Sequence, residues 1–135
     1  MHSPHNQLNM AKPYIHAEAS VRRYGGKVED YLPLHELMDS SKIAFPSNSH
    51  RTLTHNSWFA KVIIPKCFGD YIVNSADKRI SSEQIALDHI QEDFGGKFVP
   101  SVQDYLEHIT PQTWFDNGKV GCPSSFKQYE KTINL

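Results

Sequence analysis

The chain has 135 residues, 14 Lys and Arg against 15 Asp and Glu, a formal net charge of −1 and 39% hydrophobic residues. That length fits one domain with a core of its own, and the even charge excludes the basic stripe of a general nucleic-acid or membrane-surface binder. No apolar run approaches the ~20 residues of a membrane span and the start lacks the pattern of a signal peptide, so a cytoplasmic protein is expected.

In chain order, residues 1–12 are polar and aperiodic and are expected as a flexible extension ahead of a single domain at 13–118. Tyr14 to Tyr24 reads as a first helix, stopped by Gly25 and Gly26. A second follows with Asp30 as its N-cap and Pro33 early. It buries Leu34, Leu37 and Met38 and puts His35, Asp39 and Lys42 on an adjoining face. Ser47 or Asn48 caps a third, in which Arg51, His55, Phe59 and Val62 follow the helical period. Phe59 and Val62 are expected buried, and Pro65 should kink or end the helix near Ile64. YIVNSADKRI has the form of a β-hairpin. Ser81 or Ser82 caps a fourth helix through Phe94, and Ser101 with Asp104 opens a fifth with a capping box. Residues 119–135 form a tail. The fold class is mainly α: about five helices, with one small hairpin between the third and fourth. Cys67 and Cys122 fit no CxxC pattern; a long-range disulfide is open to them, but two reduced, buried thiols are the simpler expectation.

The segments YIHAEASVRRYGG, DYLPLHELMDSSK, SHRTLTHNSW, CFGDYIVNS and ALDHIQEDFGGKFVPSVQDYL together resemble a family of short, uncharacterised bacterial and phage proteins, a domain of unknown function. The resemblance covers roughly residues 13–106 and implies no chemistry of its own.

The chemistry is suggested by histidine, of which there are eight. Charging all of them would move the net charge from −1 to +7, so pH dependence between about 5 and 7 is expected. His35 and Asp39 are four apart, as are Arg51 and His55, and His89 and Asp93; each pair shares a helix face. His16, His35, Asp39, His55 and His89 are the candidate ligands for a divalent metal (zinc, iron or manganese), whose preferred donors are imidazole nitrogen and carboxylate oxygen. His35, His55 and His89 should lie on facing helices around a common point, with His16 and Asp39 nearby. The helical phosphohydrolases of the HD superfamily offer an analogy, although here the dipeptide runs Asp88-His89, in the reverse order. Glu92 is a candidate general base and Asp93 a further ligand, or both are surface carboxylates. Lys42 and Arg51 are candidates for gripping a small phosphate-containing ligand, or else they form salt bridges. An inward Arg51 should meet Asp39, Glu92, Asp93 or an anion.

Two function classes therefore stand. One is a metal-dependent hydrolase with Glu92, Lys42 and Arg51 as its catalytic residues. The other is a non-enzymatic accessory or interaction protein, in a phage or bacterial setting, whose histidines and charges form a buried structural network with no particular protein partner indicated.

Overall fold

The computed structural model describes residues 4–45, 47–116 and 118–126, with side chains from Lys12 onward. Residues 1–3 and 127–135, in the expected extension and tail, lie outside the described residues, as does the side chain of His5. Six α-helices and one two-stranded antiparallel sheet make a mainly α fold: α1 Pro4–Tyr24, α2 Val28–Asp39, α3 Arg51–Thr54, α4 Ile64–Phe68, β1 Tyr71–Val73, β2 Arg79–Ser81, α5 Ser82–Asp93 and α6 Val102–Leu106.

Helices α1 and α2 form an antiparallel pair turned by Gly25 and Gly26, both at positive φ. At Gly26 a Cβ would come within 2.5 Å of Asp30 Oδ2 and 3.0 Å of Asn74 Cβ, so only glycine fits the corner. Asp30 is one turn inside α2 and is not its N-cap: Lys27 occupies that position, and Asp30 Oδ2 accepts its backbone N–H at 2.7 Å. The same oxygen accepts from the Ser75 N–H and hydroxyl, which ties the hairpin turn to the corner. Asn74 completes the joint. Its Oδ1 accepts from the backbone N–H of Ala76 and Lys78, and its Nδ2 donates to the Tyr24 carbonyl and the Tyr31 hydroxyl. The strands pair Tyr71 with Ser81, Ile72 with Ile80 and Val73 with Arg79.

The expected long third helix is broken. A 3₁₀ turn at Asn48–His50 leads into α3, which ends at His55, and a π turn spans Phe59–Ile63 before α4. Asn56 makes the break: its Oδ1 accepts from the Phe59 N–H at 2.8 Å, starting a new helical segment, while its Nδ2 donates to the Thr52 carbonyl. Pro65 has no N–H to give the carbonyl four residues back. The π turn absorbs that loss, with the Ile64 N–H reaching the Phe59 carbonyl. Because the helix restarts at Asn56, Val62 lies at 36% exposure and outside the core, against the expected period.

The core consists of Ala17 from α1, Tyr31, Leu34 and Met38 from α2, Ala60 and Ile64 from the π turn and α4, and Ile85, Ala86 and Ile90 from α5. Helix α5 packs against α1, α2, the π turn and α4, so its inward face meets side chains from every side. Ser81 N-caps it, accepting from the Gln84 N–H, and the expected Ser101–Asp104 capping box opens α6 with both bonds formed. Cys67 is exposed and Cys122 half-buried, so the expectation of buried thiols is corrected.

Candidate metal centre

Beside the apolar core lies a polar one. His16, His35, Asp39, His50, His55 and His89 are all buried, as are Ser20, Ser41 and Thr54. Helical spacing aims them. His16 and Ser20 come from α1, His35 and Asp39 from α2, His89 and Asp93 from α5, each pair four residues apart. His55 is the residue at which α3 stops, so the chain break directs its ring inward.

Asp39, His55, His89 and Asp93 each bring one ligand atom to a common point, all within 4.8 Å of one another, and this group can hold a metal ion. His55 Nε2 lies 2.7 Å from Asp93 Oδ2 and 3.8 Å from Asp39 Oδ1; His89 Nε2 lies 3.3 Å from Asp39 Oδ1 and 3.5 Å from Asp93 Oδ2. A tetrahedral ion with ligand bonds of ~2.0–2.1 Å sets its ligand atoms about 3.3–3.4 Å apart. Asp39 Oδ2 is buried and accepts no hydrogen bond from any described residue.

The proton inventory sharpens this geometry. The Thr54 hydroxyl donates its one proton to the Met38 carbonyl at 2.6 Å, so toward His55 Nδ1, 2.9 Å away, it only accepts. His55 therefore carries a proton on Nδ1. Burial is the largest influence on the ring and holds its pKa below the ordinary value, so a second proton is disfavoured. Nε2 is the atom turned to the carboxylate, 2.7 Å from Asp93 Oδ2. A second relay orients His89. Ser20 Oγ donates to the His16 carbonyl at 3.2 Å and thus accepts from His35 Nε2 at 2.9 Å. His35 is pushed down to about 2, by burial first and then by the neighbouring imidazoles, and so has one proton. Its bare Nδ1 then accepts from His89 Nδ1 at 2.8 Å, and the His89 Nε2 faces Asp39 and Asp93.

Both carboxylates are ionised. Burial acts to raise each pKa and is outweighed: at Asp39 by the facing His89 and the charge of Lys42, at Asp93 by contacts with His16, His55 and His89, which hold it far below the usual range. Two imidazole Nε2 atoms and two carboxylates converge on one point, a set that a bound cation or protons on the rings can satisfy.

Of the expected ligands, then, Asp39, His55 and His89 belong to the converging group, and His16 and His35 stand beside it. His35 has both nitrogens engaged, and its ring lies 5.1 Å from that of His89. His16 stacks on His89 with ring centroids 3.7 Å apart. Its Nδ1 reaches Glu92 at 2.7 Å and its Nε2 reaches Asp93 at 3.1 Å. Burial opposes its charge, but these two partners prevail and raise it to about 9, so it is an imidazolium with no lone pair for a metal. Asp93 takes the fourth place in the group. The His89–Asp93 spacing already signalled it. The hydroxyls of Ser20 and Thr54 had no sequence signal beyond lying four residues from His16 and next to His55.

The expected catalytic trio does not assemble. Glu92 accepts from Arg23 at 2.6 Å and from His16, at the edge of the group. Lys42 influences Asp39 through its charge but makes no ion pair among the described residues. Arg51 is half-buried and makes no ion pair with Asp39, Glu92 or Asp93. Its guanidinium carbon sits 5.3 Å above the Phe94 ring, and its buried Nε has no hydrogen-bond partner. An aromatic face in place of a carboxylate balances this arginine, which corrects the expected ion pair. Asp88, the first half of the reversed dipeptide, is turned away from the group and accepts from the Tyr24 hydroxyl and from Gln84.

No helix among the described residues is long and apolar enough to cross a membrane. No curated protein and no solved structure matches the chain. A family model does, over residues 11–115, a span holding every residue of the converging group: the chain belongs to the family described as a domain of unknown function, DUF6915.

Proposed function

We propose that the protein binds one divalent metal ion through Asp39 and Asp93 and the Nε2 atoms of His55 and His89, and that it uses the ion in a hydrolytic reaction on a phosphate-containing substrate. The observation that carries this reading is the convergence of the His55 and His89 Nε2 atoms on the two buried carboxylates of Asp39 and Asp93. The hydroxyl relays behind them support it, because histidine ligands are oriented by donating their other N–H to such partners. Mixed nitrogen and oxygen donors suit zinc, manganese or ferrous iron, and the absence of thiolate from the group favours a working site over a purely structural zinc site.

A five- or six-coordinate ion held by these four groups would keep a position for water and lower its pKa toward neutrality. Glu92 adjoins Asp93 at the outer edge of the group. It is held ionised by His16 and Arg23, and we assign it the role of orienting or deprotonating that water. His16 secures both Glu92 and Asp93. The test is hydrolysis of a chromogenic phosphate monoester and diester by metal-loaded protein. Turnover that disappears on chelation, returns with added metal and is abolished in Asp93→Asn supports the reading; metal-loaded protein with no turnover on either ester overturns its hydrolytic half. The rival reading, a structural network without metal, draws on the 2.7 Å approach of His55 to Asp93, which a protonated imidazole also satisfies. Under that reading, metal-free protein keeps its full stability when metal is withheld.

A further inference from the structure

Helix α1 carries Lys12, Ile15, His16, Ala19 and Arg22 at steps of three and four, so these side chains form one stripe. Together with Glu92 and Asp93 at the end of α5, the stripe encloses a cavity of about 410 Å³. Asp93 belongs to both the cavity and the candidate metal centre. Its Oδ2 faces His55 and His89, and its Oδ1 faces His16 and, at 3.6 Å, Lys12 Nζ. We propose that this cavity is the substrate site of the metal centre and receives a phosphate group held by Lys12 and Arg22. The proposal rests on the metal-binding reading above.

Charge and size carry the argument. The acidic groups on the wall already have partners: Glu92 has Arg23 and His16, and Asp93 has His16 and Lys12. Both nitrogens of His16 are taken up by those contacts. Arg22 is exposed at the rim and makes no ion pair among the described residues, and the Lys12 contact is a long one, so both cations remain available to an incoming anion. Ten residues along a helix place their Cα atoms about 15 Å apart, a gap that two long, flexible stems can close from opposite ends. Between them stands Ala19, whose methyl leaves room that a larger side chain would fill. Phosphate suits the site better than carboxylate. Its oxygens can meet a two-pronged arginine and a lysine and still turn one atom toward the metal, which two oxygens cannot do. Lys42 and Arg51 do not line this cavity.

The test uses zinc-loaded, ¹⁵N-labelled protein, titrated with inorganic phosphate after its metal content has been counted. Expected are amide shifts along Lys12–Arg22 and at Glu92 and Asp93, with the apparent affinity falling at least tenfold in Arg22→Glu and in Ala19→Trp. Both variants should keep one metal per chain and a dispersed spectrum. Shifts centred instead on Lys42 and Arg51, or an affinity indifferent to both substitutions, overturn this site and leave the metal centre standing. A wild-type protein that takes up no zinc overturns the reading beneath it, and does so in the metal count, before phosphate is added.

Discussion

At the scale of single residues, the hydroxyls behind the histidines set which ring nitrogens face the carboxylates. Thr54 passes the His55 Nδ1–H contact on to the Met38 carbonyl. Thr54→Val keeps the shape and removes the acceptor, which leaves a buried N–H and the Ser41 hydroxyl short of a partner. Stability should fall by about 1–3 kcal/mol in denaturant melts, and metal affinity by about 10–100-fold in a competition titration; an unchanged affinity would show that the relay does not orient His55. Arg51 provides the contrast. It lies over Phe94 and meets no carboxylate, so Arg51→Met should cost no more than about 1 kcal/mol and leave metal uptake at the wild-type level. A large loss of metal in that variant would show that Arg51 reaches the centre after all.

At the scale of elements, the helix pairs His35–Asp39 and His89–Asp93 were readable from spacing alone, because α2 and α5 are regular through them. The Ser101–Asp104 cap and the hairpin were legible for the same local reason. The third helix was not. Its apolar period runs through His55 without interruption, and only the tertiary environment gives Asn56 its capping role and lets the π turn accommodate Pro65. That break brings His55 to Asp93 and puts Val62 at the surface. The capture of Arg51 by Phe94 is equally tertiary, since Phe94 is distant in sequence. The corner between α1 and α2 allows a direct check. Gly26 has φ +79 and Asp30 Oδ2 within 2.5 Å of a would-be Cβ. Gly26→Ala should therefore destabilise by more than the ~1–2 kcal/mol that left-handed backbone alone costs an L-residue; a change below that in a denaturant melt would mean the corner opens freely.

At the scale of the whole molecule, the buried histidines make metal-free protein sensitive to pH in two directions. Burial, then the charges of His55 and Lys42, push His50 down to about 4, and His35 lies at about 2, against 6.5 for a free histidine. Their contribution is complete above pH 6.5 and is lost as pH falls toward 4, because the unfolded chain takes up protons that the folded rings refuse. His16, raised to about 9, runs the other way: its contribution is complete below pH 6.5 and is lost as pH rises to 9. Thermal melts of chelated protein should therefore give a highest Tm near pH 6.5, falling on both sides; a Tm that rises steadily from pH 5 to 9 would mean His16 is not held as an imidazolium. Metal at the proposed site should lift the whole curve, since only the folded chain brings the four ligands together.

Asp39, His55, His89 and Asp93 form the proposed metal site. Its most direct test is the metal content per chain of tag-free protein, dialysed after exposure to zinc, manganese and ferrous iron, in the wild type and in Asp93→Asn. One ion per wild-type chain, and none in Asp93→Asn that still folds, is the expected result. A wild-type protein that retains no metal, or a variant that retains as much, would contradict it.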